Sequence, residues 1–157
     1  MSSRVLVFLL LFTPSVASAV ITCTFSSTPG MSFGPYDDSS AAATDITTSV
    51  VVRCTRILGT NNANVVLQVG PSATSGTIAT RQMGSGANRM NYNLYRDGGR
   101  SQVWGQTAGV DTVSLNTGNI GNGSSADVTF TIFGRIPALQ NVNAGAYSDS
   151  VQLTVSP

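Results

Sequence analysis

Residues 130–155 read FTIFGRIPALQNVNAGAYSDSVQLTV, a pattern that two β-strands and a turn-rich connection account for. Val128, just ahead, shares a parity with Phe130 and Ile132, against Thr129, Thr131 and Phe133. At the other end Tyr147, Val151, Leu153 and Val155 alternate with Ser148, Ser150, Gln152 and Thr154. A period of two marks a strand with one buried face. Gly134, Pro137, Asn141, Asn143 and Gly145, all chain-turning residues, lie between the two. The second strand runs to within two residues of Pro157. The expectation is a final strand whose far edge has no partner within the chain.

Outward from this stretch the same alternation recurs. Ile21, Cys23 and Phe25 share a face in Val20–Phe25, as do Ile46, Thr48, Val50, Val52 and Cys54 in Thr44–Cys54. Val65, Leu67 and Val69 form another apolar row, and Met90, Tyr92 and Leu94 a further one. Arg81 with Met83, and Val113 to Leu115, predict shorter strands. Turn signals separate these segments: Pro29-Gly30, Gly34-Pro35, Asn61 to Asn64, Gly70-Pro71 and Asp97-Gly98-Gly99. Met31, Phe33 and Tyr36, between and after the first two breaks, read as core-facing. Residues 72–88 and 117–125 are irregular and rich in small polar residues. No segment carries a helical period, and there is no internal repeat or domain-splitting linker. Six to eight short strands of this kind predict an all-β fold, an immunoglobulin-like antiparallel β-sandwich, with a small barrel as the competing architecture.

The chain opens differently. Arg4 precedes an eight-residue apolar run, Val5 to Phe12, too short to span a bilayer. Pro14 and then Ala17-Ser18-Ala19 complete the order of a secretory signal peptide with its cleavage site. Residues 1–19 are therefore expected to be removed, leaving 138 of the 157 residues, 20–157, as one domain.

All eight basic residues are Arg and all seven acidic ones Asp; Lys, Glu and His are absent. Loss of Arg4 would leave the charges balanced. Nothing here draws a nucleic acid or an anionic membrane, and a near-neutral surface favours association. General acid–base chemistry would be left to Asp and Tyr. No phosphate loop and no nucleophile elbow is present. The composition argues against an enzyme, and no cofactor or metal is expected.

Cys23 and Cys54 are an even pair in an exported chain and predict one disulfide. A metal or redox role is disfavoured by the lack of His and of C-x-x-C spacing. Asp37-Asp38-Ser39-Ser40 is oxygen-rich, but its spacing matches no calcium loop. Trp104 reads as core, and Arg81 and Arg135 as surface residues by default.

Several segments in order carry a family resemblance: Cys23, Cys54, Arg81-Gln82-Met83, Asn91 to Tyr95, Trp104-Gly105, Phe133 to Pro137, Gln140 and Gly145 to Asp149. Together they resemble the spore coat protein U domain, the subunit fold of archaic chaperone–usher pili. The resemblance implies a sandwich lacking its last strand. A periplasmic chaperone and then a neighbouring subunit would lend that strand, and an outer-membrane usher would assemble the subunits. Phe130, Ile132, Leu153 and Val155 are the expected wall of the acceptor groove. Only three residues would precede Cys23 after cleavage, too few for a donor strand. The expected role is that of a receiving subunit, at a fibre tip or outside a shaft, exported through the periplasm to a pilus or coat at the cell surface. The alternative is a self-sufficient secreted module binding carbohydrate through its irregular loops.

Overall fold

Alternation of apolar and polar residues sets the architecture. The computed structural model describes residues 20–157; the expected signal peptide, 1–19, lies outside them. Eight strands follow in order: β1 (Val20–Ser27), β2 (Thr44–Leu58), β3 (Asn64–Ser72), β4 (Arg81–Ser85), β5 (Asn88–Tyr95), β6 (Val113–Asn116), β7 (Ser125–Ile136) and β8 (Val151–Ser156). They form a five-stranded sheet of order β1-β2-β7-β5-β4 and a three-stranded sheet of order β6-β3-β8. All pairings between these strands are antiparallel. The two sheets stack as an immunoglobulin-like sandwich. β1 and β8 belong to different sheets and do not pair, so the alternative of a closed barrel is excluded.

The long β2–β7 ladder is the spine of the larger sheet. Its register sets Val50 opposite Phe130 and Val52 opposite Val128, and sends all four into the core. Val65, Leu67 and Val69 of β3 meet them from the smaller sheet with no exposed surface. Trp104 is fully buried, packs at 6.3 Å from the Phe130 ring and donates its indole N–H to the Leu67 carbonyl at 3.0 Å. That bond satisfies the one polar group the ring brings inside.

Cys23 and Cys54 face each other across the β1–β2 register and form the disulfide, with Cα atoms 4.1 Å apart. On the outer face, bidentate pairs join β2 to β7 at both ends: Arg53 to Asp127, and Arg135 to Asp45.

Three sequence expectations need correction. Arg81 is not on the surface: it is completely buried. Its guanidinium donates to the carbonyls of Val69, Gly70 and Trp104 and to Asn93 Oδ1. Burial pulls its pKa down, because the charged form loses water. The second strand of the opening stretch begins at Val151, not at Tyr147. Ser148, three residues before that start, instead bridges Gly84 on β4, at the edge of the other sheet. Finally, β2 continues past Cys54 to Leu58.

Candidate functional site

Five strands present a wider inner face than three can cover, and a sandwich needs both layers to bury its core. The uncovered part lies between β1 and β8. Both are edge strands, and both carry an apolar row that is only half buried: Ile21, Cys23 and Phe25 on β1, Val151, Leu153 and Val155 on β8. Their polar partners on the same strands are exposed. Between the rows runs a depression of about 560 Å³. Its floor is the inner face of the larger sheet, with Thr48 and Val50 of β2, Ile132 of β7, and Tyr92 and Leu94 of β5. One wall is Phe25 with the segment that follows it; the other is Tyr147 to Asp149 with Val151 and Leu153. A second depression, of about 670 Å³, continues past Met31 and Phe33 toward Tyr36, Met90 and Val142.

The free edge of β8 gives this groove its chemistry. Among the described residues β8 pairs with β3 on one side only. Its other edge presents backbone N–H and C=O groups in the spacing that another strand would match. The groove thus offers main-chain hydrogen bonding along one wall and apolar sockets at alternate positions along the floor. That is the combination used in strand addition.

A polar cluster closes one end. Tyr92 donates its hydroxyl to Asp149 Oδ2 at 2.6 Å, and Thr74 donates its N–H and its hydroxyl to Oδ1 at 3.0 and 2.9 Å. Burial pushes the Asp149 carboxyl up, but the hydrogen bonds from Tyr92 and Thr74 outweigh it and hold the group below its ordinary value. Tyr92 is pushed well above its ordinary value, first by burial and then by its bond to Asp149. The cluster anchors the segment that leads into β8.

Of the four residues expected to form the wall, Ile132 and Leu153 line the groove. Phe130 is not part of that lining; it is 1% exposed and sits between the sheets beside Trp104. Val155 belongs to the half-buried row of β8, beyond the depression itself. Among the lining residues the expectation left out are Phe25, Met31, Phe33, Val50 and Val151. Phe25 and Val151 carry a legible signal, since each shares its strand's apolar parity. Met31 and Phe33 stand in a loop, where no periodicity speaks for them.

A family model described as Spore Coat Protein U domain matches residues 9–154. The chain belongs to the Spore Coat Protein U domain family. Within the curated relatives it is 31% identical over 136 residues to "Protein U" of Myxococcus xanthus, covering 80% of this chain and 70% of that one. Among solved structures, the fold is similar to a chain of the CsuC–CsuE chaperone–tip adhesion subunit pre-assembly complex from archaic chaperone–usher Csu pili of Acinetobacter baumannii. There the TM-score is 0.55 at 16% identity, over 87% of this chain. It is also similar, at a TM-score of 0.43 and 13% identity over 87% of this chain, to a chaperone–tip adhesin complex of CFA/I fimbriae biogenesis. This Spore Coat Protein U domain spans 39% and 42% of the two solved chains. At 16% identity the likeness to the first of these is one of fold.

Proposed function

We propose that this chain is an exported structural subunit of a surface fibre or coat, and that its groove accepts a β-strand from another polypeptide. The observation that carries the reading is the pair of half-buried apolar rows on β1 and β8, facing one another beside the unpaired edge of β8. An uncovered edge flanked by apolar side chains invites aggregation unless a partner covers it. Family membership and the fold shared with a chaperone–subunit complex support a periplasmic chaperone as the first partner. A neighbouring subunit is then the second, with an usher and the cell surface as the route. The role is structural, not catalytic. It is a receiving role as well: Val20 to Thr22 already pair with Leu58 to Thr55 inside β1, so these residues serve the sheet.

The test uses the exported chain and a fluorescein-labelled peptide of alternating valine and threonine. Binding should be saturable in anisotropy and lost with Leu153→Asp, which places a charge in the groove wall. A chain that stays soluble, monomeric and indifferent to the peptide would overturn the reading.

A further inference from the structure

Residues 28–36 connect β1 toward β2 and run along the groove. Among the described residues no backbone N–H or C=O of this segment enters a hydrogen bond. Side chains hold it instead. Met31 and Phe33 lie over Gly134 of β7, and Phe33 meets the Tyr92 ring edge-on at 6.0 Å. Beyond them the Tyr36 hydroxyl donates to the Pro137 carbonyl at 2.9 Å and accepts from the Gln140 N–H at 2.8 Å.

Gly134 shows that this seat is built in. A Cβ there would stand 2.5 Å from Met31 Sδ, 2.8 Å from Phe33 Cζ and 3.0 Å from Ile46 Cγ2. Gly134 is not among the residues with positive φ, so its backbone does not demand glycine. What requires the missing side chain is the space that Met31 and Phe33 occupy. Pro29-Gly30 and Gly34-Pro35 bracket the two seated residues, and Gly34 has φ 73°. Both seated side chains stay partly exposed and border both depressions.

We propose that residues 29–35 are a displaceable strap: an internal occupant that shields part of the groove until an entering β-strand pushes it aside. This rests on the strand-accepting reading. The strap offers two apolar side chains and no main-chain bonds. An entering strand offers alternate side chains and a ladder along β8, so it is the stronger occupant. Segments with few backbone bonds and little burial are those that open most readily.

Two measurements test the strap. The first compares wild type with Met31→Ser/Phe33→Ser, which unseats the strap and leaves β8 untouched. The variant should bind the valine–threonine peptide several-fold faster, and should raise bis-ANS fluorescence when free. Unchanged association with binding retained overturns the strap and leaves the strand reading standing. Absence of binding in both proteins overturns both. The second measurement needs no variant and stands if the double substitution does not fold. Peroxide oxidation of Met31 in wild type is followed by mass spectrometry, with buried Met90 as the internal reference. Bound peptide should accelerate oxidation of Met31 by lifting it from its seat. Oxidation that is slowed or unchanged in the peptide-bound chain overturns the strap alone.

Discussion

Arg81 is the residue on which the interior depends most. Its guanidinium collects neutral acceptors from the end of β3, from β5 and from Trp104, and so ties the two sheets together. Replacing it with Met would strand several buried carbonyls. We expect a loss of about 3 kcal/mol or more, seen as a lower urea midpoint. Arg81→Lys should also destabilise, since an ammonium cannot span the fork of acceptors. An unchanged midpoint in either variant would refute the role. Asp149 and Tyr92 set the pH limits of the same region. Asp149 has a lowered pKa when folded, so its contribution is present above the unfolded value and lost as pH falls below about 4. Tyr92 has a raised one, so its contribution holds below about pH 10 and is lost as pH climbs toward the raised value. Urea midpoints measured across pH should therefore fall at both extremes, and Asp149→Asn should flatten the acid side.

Among the elements, β1 hangs on the sheet by its ladder to β2 and by the Cys23–Cys54 bond. The bond closes a sequence separation of 31 residues. Cys23→Ser/Cys54→Ser should cost roughly 3–4 kcal/mol on the chain-entropy account. The loss should appear in the denaturation midpoint and, as fraying of β1, in faster amide exchange at Ile21 to Phe25. Elements of this kind were legible in the sequence because alternation is a local signal: β3, β5 and β7 announce themselves residue by residue. What stayed hidden depends on distant neighbours. Arg81 reads as surface because its acceptors at Val69, Gly70, Asn93 and Trp104 are brought to it only by the fold. Tyr147 has the parity of β8, yet the strand starts later because Ser148 bridges the opposite sheet. Of the groove, Ile132 and Leu153 could be read from their strands. Met31 and Phe33 read as core-facing, and they do pack against the core, but their place over the groove was hidden, since a side chain missing at Gly134, about a hundred positions away, makes their seat.

On the scale of the whole molecule, the sandwich has one thin side, between β1 and β8, and a bound strand should stiffen it. A peptide at a hundredfold excess over its Kd adds about 2.7 kcal/mol by mass action. Calorimetry should show a concentration-dependent rise in Tm, and the rise should vanish with Leu153→Asp. The disulfide has a mechanical consequence too. A pull applied at Val20 can peel only three residues before it meets Cys23. There the load leaves the hydrogen-bond ladder, crosses a covalent link, and enters the longest strand four residues inside its end at Leu58, where that strand is flanked on both sides. Tension arriving at this corner is thus carried into the body of the molecule instead of unzipping its rim.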